Sequence, residues 1–250
     1  MKTSQFLRCA LVCSVMWQLI VVYSAAAQQS NTVTARIELK SRAEISAGKP
    51  SKKQPGLSEV VVWLIPTDRA VASPKPPTNR PQIAQHNKGF EPHLLVVPVG
   101  STVDFPNRDP FFHNVFSLFD GKRFDLGLYE AGATNSVKFD RVGVSLLFCN
   151  IHPEMSAVVV ALNSPYYAIS DRAGNVSIAG VPDGNYELHV WYERSLPEEL
   201  KGLTRSVMLS SSSHDLGVLT IPEDSGSSLS HKNKFGQDYT PPPAQGYSKP

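Results

Sequence analysis

The segment Phe148-Cys-Asn-Ile-His-Pro-Glu-Met155 sets a thiol, an imidazole and a thioether within seven residues, at Cys149, His152 and Met155. Upstream, Phe112-His113-Asn114-Val115 offers a second imidazole. The donors are graded in softness: sulfur favours monovalent copper, and imidazole suits either oxidation state. Two imidazoles and one thiolate in a plane, with a weak axial thioether, form the ligand set of a blue-copper electron-transfer site. Taken singly, a cysteine or methionine is ordinary core filler and a histidine an ordinary hydrogen-bonded group. Together they are harder to dismiss, because Met155 and Met208 are the only methionines beyond residue 27.

The wider composition sharpens the position of Cys149. The chain has 250 residues, 41% hydrophobic and 18% charged, enough for a buried core in one or two domains. A formal charge of +2 gives no reason to expect nucleic-acid binding. Lys2 and Arg8, the apolar run Cys9–Tyr23 and the small residues Ser24-Ala-Ala-Ala27 read as an export signal cleaved after Ala27. That run is short for a membrane span and is broken by Gln18. Removal of 1–27 takes away two bases and no acid, leaving 22 of each, and it takes away Cys9 and Cys13. Cys149 is then a lone thiol in an oxidising compartment, where it needs an occupant. The expected location is periplasmic or secreted, with no integral membrane segment after cleavage.

The elements that would carry these residues are strands. Thr34–Leu39, Glu59–Ile65, Leu94–Val97, Thr102–Phe105, Val115–Leu118, Ser136–Phe139, Val144–Cys149 and Ser156–Leu162 are short, β-branched or aromatic, and bounded by turn residues. Between Pro66 and Pro92 a polar, proline-punctuated stretch reads as a long surface connection. Smaller strands follow at Tyr166–Ile169, Val176–Ile178, Tyr186–Tyr192, Arg205–Leu209 and Leu216–Ile221. Residues 28–164 are therefore expected as one β-domain and 165–222 as a second. Residues 223–250, rich in Ser, Gly, Pro and Gln, read as a disordered tail. Asp171 and Asp183 lie beside glycines and are expected as turn residues, with calcium the weaker alternative.

Cys-x2-His-x2-Met before an apolar strand, with His-Asn-Val upstream, resembles the cupredoxins, and the short loop resembles that of amicyanin. The similarity spans roughly Phe90 to Leu162. It implies a Greek-key β-sandwich in which His113, Cys149, His152 and Met155 bind one type 1 copper ion. It also implies that Asn114 braces the two ligand loops by hydrogen bonding. In plastocyanins the aromatic before the ligand cysteine marks an electron route, so Phe148 is expected to point outward and serve as one. The whole arrangement is similar to exported plastocyanin-like proteins called methylamine utilisation proteins. The segment Ala168–Tyr192 resembles the carboxypeptidase regulatory-like domain, a small transthyretin-like β-sandwich. The fold class expected is all-β throughout.

The function that follows is one-electron transport between redox protein partners. The alternatives are a copper carrier with exchangeable metal, and a non-redox binding module whose second β-domain engages glycan or protein. Catalysis is not expected: there is no nucleophile elbow, no P-loop, no dinucleotide fingerprint and no His-x-His pair for further copper ions. His86, His93, His189, His214 and His231 have no tight metal-ligand spacing, although His86 and His93 flank Phe90 near the ligand region.

Overall fold

The computed structural model describes residues 30–41, 44–45, 59–118, 121–210, 213–224 and 232–239. The export signal expected at 1–27 lies outside them. The chain is nearly all β. It starts with β1 (Ser30–Ser41) and β2 (Val61–Pro66). A hairpin of β3 (Ala84–His86) and β4 (Gly89–Glu91) closes the proline-rich connection. Then come β5 (Leu94–Pro98), β6 (Ser101–Pro106), β7 (His113–Ser117) and β8 (Phe124–Tyr129). β9 (Thr134–Phe139), β10 (Gly143–Phe148) and β11 (Ser156–Leu162) complete this run. β12 (Tyr167–Ile169), β13 (Asn175–Pro182) and β14 (Gly184–Trp191) lead to helix α1 (Pro197–Leu203), then β15 (Arg205–Leu209) and β16 (Asp215–Glu223).

Strand pairing sorts these elements into two sandwiches and corrects the expected boundary. The first has the sheet β5-β11-β10-β7-β8, with β6-β9 and the β3-β4 hairpin closing its other side. Its core holds Val103, Phe105, Val115, Phe139, Leu147, Ala157 and Val159. The second pairs the sheet β13-β1-β16 with the sheet β12-β2-β14-β15. Residues 28–164 are thus not one unit: β1 bonds to β13 and β16, and β2 to β12 and β14. The chain begins the C-terminal sandwich, leaves it after β2 to build the other, and returns at β12. The driving force is shared burial, since Val33, Ile37, Leu39, Val62 and Leu64 lie in one core with Val176, Ile178, Tyr186 and Leu188.

The contact between the sandwiches explains two unbroken apolar runs. Val60, just before β2, and Val62 and Leu64 within it enter the C-terminal core, while Val61 and Trp63 face the other way. In β11, Ala157, Val159 and Ala161 enter the first core, while Val158, Val160 and Leu162 meet Val61, Trp63, Tyr167 and Trp191. Successive side chains alternate across a strand, so a strand covered on both faces must be apolar at every position. These two sheets are packed face to face, and β10, which runs into Cys149, lies between β11 and β7 in that layer.

Three local features differ from expectation. β8 (Phe-Asp-Leu-Gly-Leu-Tyr) is interrupted by Asp125 and Gly127 and carries no clean alternation. α1 has Pro at its start, Glu198 and Glu199 in its first turn and Lys201 in its last, which suits the helix dipole. Residues 232–239, assigned to a disordered tail, instead form a defined turn seated against the Cys149 loop. No helix among the described residues is long and apolar enough to cross a membrane.

Candidate metal centre

His113 opens β7, and Cys149 follows the last residue of β10. The two strands are antiparallel neighbours with Phe148 opposite Phe116, which brings the start of one beside the end of the other. His152 and Met155 lie in the turn between β10 and β11. That turn is closed by its own backbone: Cys149 N–H donates to the Met155 carbonyl at 3.3 Å, and Met155 N–H to the His152 carbonyl at 3.1 Å. A loop this short leaves its side chains few alternative positions.

His113, Cys149 and His152 are the single group of three metal-binding side chains among the described residues. The Cys149 Sγ lies 3.9 Å from His113 Nδ1 and 3.6 Å from His152 Nδ1, and the two nitrogens are 3.2 Å apart. A triangle with these sides has its corners about 2.1 Å from its centre, close to the roughly 2.0–2.3 Å bonds that imidazole and thiolate make to a comparable ion. The donor set and its spacing fit copper without rearrangement. His113, Cys149 and Met155 have no exposed surface, and Met155 shares the apolar cluster of Cys149. His152 is half-buried and is flanked by exposed Ile151 and Pro153, so one edge of the centre reaches solvent. Burial, followed by the charges of His113 and Lys88, holds the His152 imidazole below its ordinary pKa, which favours the neutral, metal-binding form.

Neighbouring groups fix the imidazoles. Asp109 is buried and accepts from His113 Nε2 at 2.8 Å, leaving Nδ1 facing the cysteine. The same carboxylate accepts the N–H groups of Asn87 (2.7 Å) and Lys88 (2.9 Å). Those two residues form the β3–β4 turn with φ of 52° and 56°, a left-handed pair that is unfavourable for lysine. Asp109 therefore secures a strained turn and the His113 ring at once. Burial alone would raise its pKa, but the Lys88 N–H, the His113 imidazole and the Asn87 N–H outweigh it and keep the carboxyl below its usual range. Phe111 packs on both rings, with centroids 5.1 Å from His113 and 5.8 Å from His152.

Asn114 spans the two ligand segments. Its Oδ1 accepts Asn150 N–H at 3.3 Å, and its Nδ2 donates to Asp125 at 2.7 Å and to the Gly127 carbonyl at 2.9 Å. Phe148 departs from expectation. Alternation turns it away from the side of Cys149, yet it is 1% exposed and packs on Phe116 at 6.0 Å. The face it turns to is interior, so it offers no solvent-facing electron route. Asp171 accepts Ala173 and Asn175 N–H groups, each at 2.8 Å, and Asp183 pairs with His214 at 2.9 Å. His93 lies outside the metal group: its ring bridges the Ser156 carbonyl and Glu193. Sequence reasoning missed Asp109, Asp125, Lys234 and Tyr239. Only Asp109 left a signal, an acid four residues before His113.

No family model matches the chain, and no curated protein does. Among solved structures, the chain is similar to a purple cupredoxin from Nitrosopumilus maritimus, with 26% identity over 33% of this chain and 99% of that one (TM-score 0.30). A copper-containing nitrite reductase from Thermus scotoductus aligns with 52% of this chain and 28% of its own length, at 19% identity and TM-score 0.33. A reduced single-substitution form of amicyanin aligns with 40% of this chain and 98% of its own, at 22% identity and TM-score 0.32. The neighbours are cupredoxins or proteins that contain copper.

Proposed function

We propose that this is an exported type 1 copper protein that carries single electrons between protein partners. The observation behind the reading is the convergence of His113 Nδ1, Cys149 Sγ and His152 Nδ1 within 3.9 Å of one another at a buried, loop-closed position. Met155, on the same loop and in the same buried cluster as Cys149, would be the fourth residue to hold the ion. Bound copper would supply a one-electron couple between its monovalent and divalent states. The protein's part is to hold the donors still. Asp109 fixes the His113 tautomer and Asn114 ties its strand to the cysteine loop. Fixed ligands suit both oxidation states and lower the reorganisation that accompanies each transfer. With Phe148 interior, the half-buried His152 edge is the assigned path to the partner.

Metal analysis with a visible spectrum on the purified protein tests this reading. The expected result is one copper per chain and an intense thiolate-to-copper band, both lost or collapsed in Cys149→Ser. A copper-loaded protein without that band refutes it. A carrier role is separated by asking whether copper passes to an apo acceptor faster than electrons pass to a redox partner. The C-terminal sandwich is assigned as a carboxypeptidase regulatory-like fold. A cut at residue 164 cannot isolate it, because β1 and β2 belong to its sheets.

A further inference from the structure

Residues 232–239 carry little apolar content, yet they are folded and placed. Asn233 organises the turn: its side chain accepts Phe235 N–H at 2.9 Å and Gln237 N–H at 3.0 Å, and its backbone bonds Gln237 and Gly236. Gly236 supplies the φ of 76° that the turn requires. Two bonds then reach the metal loop, and a third reaches Asp125 on the neighbouring strand β8. Tyr239 donates its hydroxyl proton to the carbonyl of Cys149 itself at 2.7 Å. Lys234 donates its N–H to Asn150 Oδ1 at 3.0 Å and its ammonium to Asp125 at 2.7 Å.

These contacts close a ring. Asn114 accepts from Asn150, Asn150 accepts from Lys234, Lys234 pairs with Asp125, and Asp125 accepts from Asn114. The bracing of the two ligand segments is therefore completed by a segment far away in sequence. Asp125 stays below the usual carboxylate range because Lys234, Gly127 N–H and Asn114 outweigh its burial. Phe235, by contrast, is 71% exposed, so the turn is held by polar bonds rather than by a core.

We propose that residues 232–239 act as a clasp on the ligand loop, with Lys234 and Tyr239 as positioning residues that control access to Cys149. The metal-retention half of this proposal rests on the copper reading; the thiol-protection half does not. In the full chain, Tyr239→Phe and Lys234→Met are compared with the parent protein in two assays. The first is the labelling rate of the Cys149 thiol in metal-free protein by an aromatic disulfide reagent. The second is the rate at which the copper-loaded protein loses Cu(I) to a chelator.

Loss of one such hydrogen bond should raise both rates about three- to tenfold for Tyr239→Phe, and about two- to threefold for Lys234→Met. Added salt should speed labelling of the parent and leave Lys234→Met nearly unchanged. Unchanged labelling in both variants overturns the clasp. So does a rise that merely follows a lowered denaturation midpoint. Faster labelling in a protein that never binds copper supports the clasp and removes the copper reading.

Discussion

Asp109→Asn tests whether one carboxylate supports both the β3–β4 turn and His113. In the parent it receives three donors: two backbone N–H groups at 2.7 and 2.9 Å and an imidazole N–H at 2.8 Å. Hydrogen bonds to a charged group are worth about 1.5–3 kcal/mol each. Asparagine keeps one acceptor oxygen but turns an NH2 toward a donor, so at least one of the three is left buried and unmatched. The expected loss of stability is about 2–4 kcal/mol, and Asp109→Ala should lose roughly 1–2 kcal/mol more. On the proposed copper reading, the metal's redox couple should respond too. Removing a negative charge from behind the imidazole disfavours the more highly charged divalent state, so the reduction potential rises. A unit charge at that remove is worth about 2 kcal/mol at an effective dielectric near 20. That is about 87 mV for one electron, and partial neutralisation by the two N–H groups brings the expected rise to about 40–70 mV. Denaturation in urea and protein-film voltammetry measure the two effects. A potential unchanged within error, or one that falls, refutes the coupling of Asp109 to the ligand; loss of stability alone assigns it only to the turn.

Other outcomes follow from neighbouring contacts. His93 bridges the sandwiches, donating to Glu193 at 2.7 Å, and the Glu193 bond outweighs burial and raises its pKa above 6.5. Its contribution is therefore complete below pH 6.5 and lost as the pH rises through the folded-state value. The stability gap between parent and Glu193→Gln should be widest near pH 5.5 and shrink by pH 9; a constant gap contradicts this assignment. Leu162→Ala, at 2% exposure between the sandwiches, should lose about 2–4 kcal/mol in chemical denaturation. Asn114→Ala removes the bridge to Asn150 and should speed Cu(I) loss to a chelator by about tenfold, with the visible band retained. Gly121→Ala would drive a methyl group into the Val144 carbonyl oxygen, a backbone atom that cannot yield, and should lower the thermal midpoint by several degrees.

The sequence by itself determined what is local. Cys149, His152 and Met155 share one loop of seven residues, so their spacing alone brought them together and named their chemistry. Most strands were legible for the same reason: alternation and β-branched runs are read within a few residues. What only the tertiary structure decided involves partners distant in the chain. β1 resembles any opening strand until it is seen bonded to β13 and β16, and that pairing moves the domain boundary. The runs at β2 and β11 are apolar on both faces because another sheet covers each outer face, a fact no periodicity can report. Phe148 alternates as expected, yet the surroundings of its face make it interior. Asp109 matters through a turn some twenty residues earlier, and Lys234 and Tyr239 through a loop more than eighty residues earlier. A polar tail cannot fold on a core of its own, so its place was set by the acceptors that the Cys149 loop and Asp125 present to it.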